Sequence, residues 1–178
     1  MNWDYIQPVK ISFGKGRVSE VKEIAASIGC ENGLLVADPF FFTNGLAERI
    51  VKESGGAITA TFGKVSPNPD VTEVDECADL IRQNQIGFVV ALGGGSSIDC
   101  AKAAASICLT GDSIRKYHGT GVPMPVAHLP LIAVPTTAGT GSEVTCVSVL
   151  TDHASGRKSP VVSDGFYPSY AIIDPELT

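Results

Sequence analysis

Three consecutive glycines, Gly93, Gly94 and Gly95, run into Ser96 and Ser97 and then into Ile98-Asp99-Cys100-Ala101-Lys102. These residue types in this order make an anion cradle. Glycines let backbone N–H groups approach an anion with no Cβ in the way. The first turn of a following helix adds unpaired N–H donors and a partial positive charge. The spacing is neither the Gly-x-Gly-x-x-Gly of Rossmann sites nor a P-loop, since no Gly-Lys-Ser/Thr follows. A purely packing role, in which the glycines let a helix sit close on a strand, is the simpler alternative. Asp99 and Lys102 lie three apart. They read as an exposed ion pair, or as a lysine that reaches the phosphates or holds the loop.

A second stretch, Pro135-Thr136-Thr137-Ala138-Gly139-Thr140-Gly141-Ser142-Glu143-Val144-Thr145, crowds hydroxyls and glycines after an apolar run. Hydroxyls and free N–H groups suit pyrophosphate, ribose and carboxamide groups; a Ser/Thr-rich turn is the alternative. Asp38 closes another apolar run. A carboxylate there can accept both hydroxyls of a ribose and repel a 2′-phosphate, or it caps a turn or helix. The acid precedes the glycine turn, whereas the Rossmann fingerprint places it about 20 residues after.

These groups must be positioned by strands and helices, and the pattern supplies them. Residues 10–13 alternate as a short strand before a Gly14-Lys15-Gly16 turn. Val18, Val21, Ile24, Ala25 and Ile28 have helical spacing, stopped at Gly29. Residues 33–37 read as a buried strand ending at Asp38-Pro39. Leu46, Ala47, Ile50 and Val51 mark a second helix, and residues 57–62 the next strand. After the rigid Pro67-Asn68-Pro69 loop, Asp70 and Glu73 form the pattern of a capping box. Val71, Val74, Ala78 and Ile81 stripe the helix that follows. Residues 86–92 are the strand before the glycine turn. Ile98, Ala101, Ala105 and Cys108 share one face of the helix after it. Residues 111–130 are a Gly/Pro-rich loop and 131–134 a strand. Residues 144–150 and 159–162 read as a hairpin, and 170–173 as a last strand. Apolar strands alternating with amphipathic helices predict an α/β fold, a parallel sheet flanked by helices on both faces, with a β-hairpin near the C-terminus.

Composition narrows the partners. The 178 residues are 44% hydrophobic and 18% charged, which is globular rather than disordered. A net charge of −6 argues against a sequence-independent nucleic-acid binder. No apolar run is long enough to span a membrane, and Met1-Asn2-Trp3-Asp4 does not open a signal peptide. Five widely spaced cysteines with no Cys-x-x-Cys pair fit reduced thiols and a cytoplasmic location. His118, His128 and His153 lack metal-ligand spacing and read as loop residues.

Gly-Gly-Gly-Ser-x-x-Asp-x-x-Lys at 93–102, together with the 135–145 stretch, resembles the iron-containing (group III) alcohol dehydrogenases. Pro67-Asn68-Pro69, Gly14-x-Gly16 and Ile172-Ile173-Asp174-Pro175 add to the resemblance, which runs along essentially the whole chain. It implies a Rossmann-like, dehydroquinate-synthase-like dinucleotide-binding domain over residues 1–178. In the family a helical metal-binding domain follows, and that domain lies outside this chain. Carried over by position, Gly94, Gly95 and Ser96 would bind the pyrophosphate, and Asp99 would lie near the nicotinamide side. Thr136, Thr137, Thr140 and Ser142 would line the cleft. Asn68 would sit beside the adenosine and Lys158 near the nicotinamide ribose. Asp38 matches the position where an acid accompanies NAD preference. No catalytic residue and no metal ligand is expected within the chain; the family's Fe²⁺ or Zn²⁺, held by one Asp and three His, belongs to the full-length protein.

The implied function is the NAD-binding half of a metal-dependent dehydrogenase for a small alcohol or aldehyde. Such a chain alone would bind NAD weakly and lack turnover. A nucleotide-binding module without catalysis is the second reading, and a dehydroquinate synthase or glycerol-1-phosphate dehydrogenase relative the third. Self-association is expected, with the segment around residues 9–13 pairing with another subunit's edge strand.

Overall fold

The computed structural model describes Trp3 and residues 6–178. Its eight strands are β1 (Lys10–Phe13), β2 (Gly33–Ala37), β3 (Ile58–Phe62), β4 (Phe88–Gly93), β5 (Leu131–Pro135), β6 (Val147–Asp152), β7 (Arg157–Val162) and β8 (Tyr170–Ile173). The α-helices are α1 (Val21–Ile28), α2 (Pro39–Thr43), α3 (Leu46–Glu53), α4 (Val71–Gln83) and α5 (Gly95–Ile107). Six strands form one sheet in the order β1-β8-β5-β4-β2-β3, and every pairing in it is parallel. Strands β6 and β7 form a separate antiparallel hairpin. The α/β class, the parallel sheet and the hairpin expected from the sequence are all present.

Parallel strands joined by helices bury both faces, and β2, β4 and β5 are buried at every position. Alternate residues feed two cores. Leu34, Val36, Val89, Ala91 and Ala133 pack with α4 and α5 on one face. Leu35, Ala37, Val90, Leu92 and Val134 pack with α1 and α3 on the other.

Several sequence expectations need correction. A five-residue helix, α2, follows Asp38-Pro39, because Asp38 accepts a hydrogen bond from the Phe40 N–H and Pro39 holds a helical φ. The segment from Val18 begins as a 3₁₀ turn, Arg17–Glu20, before α1. Asp70 does cap α4 through Thr72 N–H, but the capping box does not close: the Glu73 carboxylate accepts from Ser66 N–H, 3.1 Å away. Helix α5 has no single apolar face. Residues 97–107 are all buried, since α5 is covered by the sheet, α4 and the hairpin together. The hairpin strands start later and earlier than expected, at Val147 and Arg157, and residues 142–144 form a 3₁₀ turn instead.

Candidate functional site

Register brings the candidate residues together. Ala37 on β2 pairs with Leu92 on β4, and Leu92 with Val134 on β5. The chain therefore leaves the three strands at one level, delivering Asp38, the glycine turn and Thr136 to the same edge. Strand β2 continues toward β3 on one side of the sheet, while β4 continues toward β5 on the other. A crevice opens where such connections diverge at the carboxyl ends of strands, which is where open α/β sheets bind ligands.

A hollow of about 320 Å³ occupies that place. It is lined by Asp38, Phe40, Phe41, Pro67, residues 94–97, Thr136 and Thr137. Gly94 is the N-cap of α5, and no side chain caps that helix. The first intrahelical bond is Ile98 N–H to Gly94 C=O, so the preceding N–H groups of the first turn have no helical partner. Gly93 has φ +137°, and a Cβ there would meet Ser97 Oγ at 2.6 Å. A Cβ on Gly94 would fill the cleft, 3.1 Å from Thr137 Oγ1. Across the sheet, a larger hollow of about 470 Å³ lies at the amino ends of the strands, beside Ile6, His128 and Tyr167. It gathers none of the motif residues.

Two further candidates, Asn68 and Lys158, form a strap beside the cleft. Asn68, at φ +58°, donates its N–H to Ser96 Oγ at 3.2 Å and accepts from Lys158 Nζ at 2.6 Å. The hairpin that carries Lys158 is tied down by Asp70. Its carboxylate accepts from His153 N–H at 2.9 Å and lies 2.7 Å from His153 Nδ1. Burial alone would raise the Asp70 carboxyl, but these bonds and those from Thr72 outweigh it and hold it well below the usual range.

Asp99 and Lys102 face inward. Lys102 is 1% exposed, so the exposed ion pair and the reach toward phosphates are both overturned. Its ammonium donates to the Val147 carbonyl at 2.9 Å and to Thr145 Oγ1 at 3.2 Å, and it lies 3.9 Å from Asp99 Oδ1. Lys102 therefore holds the loop that follows the cleft residues. Asp99 accepts from Val149 N–H at 2.9 Å, and its backbone carbonyl accepts from Ser148 Oγ. Burial raises the Asp99 carboxyl against the opposing pull of Val149 N–H, the Lys102 charge and Ser142. Thr140 and Ser142 lie against Gly95, where a Cβ would approach Ser142 Oγ to 3.1 Å. Of the sequence candidates, then, Asp38, Gly94, Gly95, Ser96, Thr136 and Thr137 line one cleft. Asn68 and Lys158 flank it, exposed Thr140 stands beside Gly95, and the buried Ser142 and Asp99 lie behind it. Phe40 and Phe41 were missed, because the short helix that presents them was missed.

The model of the iron-containing alcohol dehydrogenase family matches residues 8–175. This chain belongs to the iron-containing alcohol dehydrogenases. The NAD-dependent methanol dehydrogenase of Bacillus methanolicus is 40% identical over 97% of this chain and 45% of its own length. The crystal structure of sulfoacetaldehyde reductase from Bifidobacterium kashiwanohense in complex with NAD⁺ superposes with a TM-score of 0.98. It is 62% identical, and the match covers all of this chain and 47% of that one. NADH-dependent butanol dehydrogenase A from Thermotoga maritima superposes with a TM-score of 0.92 at 28% identity, over 99% of this chain and 45% of that one. The chain thus spans about half the length of the relatives it matches.

Within this family member, no three of His, Cys, Asp and Glu gather into a metal-holding group among the described residues. His118 is buried with Nε2 on the Leu150 carbonyl, and His128 Nδ1 lies on the Val126 carbonyl. His153 is the hairpin tie described above. None of the described helices is long and apolar enough to cross a membrane.

Proposed function

We propose that this chain is the NAD(H)-binding half of a dehydrogenase that moves a hydride between an alcohol and NAD. Residues 1–178 form the dinucleotide-binding domain in this reading, and a helical domain in a longer chain supplies the metal. The observation that carries it is the crevice itself: uncapped N–H groups at the start of α5 stand beside Thr136 and Thr137, with Asp38 on the opposite lip. The sulfoacetaldehyde reductase holding NAD⁺, 62% identical over this region, supports the same assignment.

NAD supplies the hydride acceptor when bound. The chain's own part is to place it. The N–H groups of Gly95, Ser96 and Ser97 point a helix N-terminus at the pyrophosphate. The Thr136 and Thr137 hydroxyls offer further donors at the same edge. Asp38 uses Oδ1 to accept the Phe40 N–H at 2.7 Å and keeps a second carboxylate oxygen for ribose hydroxyls. The described residues do not fit a metal, so no step is assigned to one within this chain. The substrate is a small aldehyde or the corresponding alcohol, with sulfoacetaldehyde the first to try on the longer protein. Self-association through the β1 edge and a cytoplasmic location belong to the same proposal.

Titrating NADH into the purified chain tests the reading. Binding should quench the protein's emission by energy transfer to the reduced nicotinamide, with no alcohol-dependent NADH formation by the chain alone. Asp38→Asn keeps the helix cap and removes the charge. It should weaken NADH and tighten NADPH, because the repulsion of a 2′-phosphate is gone. Absence of NADH binding, or turnover by the isolated chain, would overturn the proposal.

A further inference from the structure

Phe40 and Phe41 are the cleft residues to which no motif gives a task. Both rings line the hollow beside Asp38 and the glycine turn. Phe41 is pinned against that turn: a Cβ on Gly93 would lie 3.2 Å from Phe41 Cε2. Phe40 meets Phe41 edge to face, with centroids 5.4 Å apart and ring planes at 75°. It nonetheless stays 60% exposed.

One exposed phenylalanine is ordinary on a protein surface. This one is held in place by the site's own geometry. Asp38 caps α2 by accepting the Phe40 N–H, so the carboxylate and the ring are fixed by the same helical turn. The cleft therefore runs from N–H donors at α5, past a carboxylate, to a flat apolar face on its outer lip. Phosphate, vicinal diol and purine follow in that order along an adenosine diphosphate group.

We propose that Phe40, braced by Phe41, is the platform on which the adenine ring stacks. The proposal rests on the reading of the crevice as the NAD(H) site and adds to it a contact that raises affinity. Stacking on an aromatic face suits any purine, so discrimination at this end falls to Asp38 and the ribose.

The test uses ADP-ribose, which has the adenine and both phosphates but no nicotinamide, measured by calorimetry, with inorganic pyrophosphate as the base-free control. Phe40→Ala should weaken ADP-ribose and NADH by about 5- to 150-fold, the range for losing one base–aromatic stack. Pyrophosphate affinity should not change, and Phe40→Trp should restore ADP-ribose. In the Trp3→Phe/Phe40→Trp double variant the single indole should be quenched by ADP-ribose. If Phe40→Ala binds ADP-ribose as the wild type does, or loses pyrophosphate to the same degree, the platform is refuted. An indole that does not respond to bound ADP-ribose refutes it too. If the wild-type chain binds neither NADH nor ADP-ribose, the cofactor reading itself has failed, and the platform with it.

Discussion

Replacing Lys102 with methionine should change how stability responds to alkali more than it changes stability at neutral pH. The side chain is buried, and burial pulls its pKa from 10.5 down to about 8, against the attraction of Asp99. The unfolded chain therefore binds its proton more tightly, by about 2.5 units, or about 3 kcal/mol. Protons bound by the unfolded state exceed those bound by the native state between about pH 8 and 10.5. In that window the lysine makes stability rise with pH. At pH 7 two effects oppose each other. Methionine matches the shape and removes the burial penalty, but it also removes two hydrogen bonds from a charged donor, each worth about 1.5–3 kcal/mol. The net loss at pH 7 is then small, about 0–3 kcal/mol, despite complete burial. Urea unfolding of wild type and Lys102→Met at half-unit steps from pH 7 to 10.5 reads the difference, since the titrations of groups remote from Lys102 cancel. The wild type should gain about 3 kcal/mol on the variant across that range. A flat difference would refute the buried, penalised ammonium.

Two further outcomes follow from the geometry. Gly93→Ala combines φ +137° with a Cβ 2.6 Å from Ser97 Oγ. It should cost about 2 kcal/mol or more and lower the Tm by about 4–8 °C in a calorimetric scan. An unchanged Tm would show that the turn can relax. Asp70→Asn keeps an acceptor for Thr72 and loses the charge that His153 and Thr72 stabilise. The Asp70 carboxyl lies below its ordinary 3.8 in the folded chain, so its contribution is complete above about pH 4 and is lost as pH falls further. Wild type should exceed Asp70→Asn by about 1–2 kcal/mol at pH 6 and converge with it in acid. A constant gap from pH 6 to 3 would remove Asp70 as the charged tie.

The chemistry of the groups that line the cleft was written in the chain. Three glycines after an apolar strand, a Ser-Ser helix start and a Thr-rich stretch after another strand are local statements. Apolar runs and helical stripes likewise mark the strands and most helices, because burial periodicity is a local signal. Asp38 was visible too, but its two roles, cap and ribose acceptor, looked like alternatives. The fold shows the cap, with Oδ1 on the Phe40 N–H, and places Asp38 in the cleft lining as well, so the cap does not compete with the proposed ribose role.

What the tertiary structure decided is which groups face the cleft and which face inward. Asp99 and Lys102 lie four and seven positions past Gly95, and on an isolated helix both would be solvated. The hairpin, more than 40 residues away, covers them and converts the pair into its own anchor. No spacing rule can foresee that, since the covering element is distant in sequence. Glu73 shows the same limit, because the Ser66 loop takes the carboxylate that a capping box would use. The pairing of Ala37 with Leu92 and Leu92 with Val134 is likewise a property of the sheet. Sequence supplies the donors, acid and hydroxyls one by one, and only strand register places them at one edge, because side chains far apart along the chain meet only through the packing of the elements that carry them.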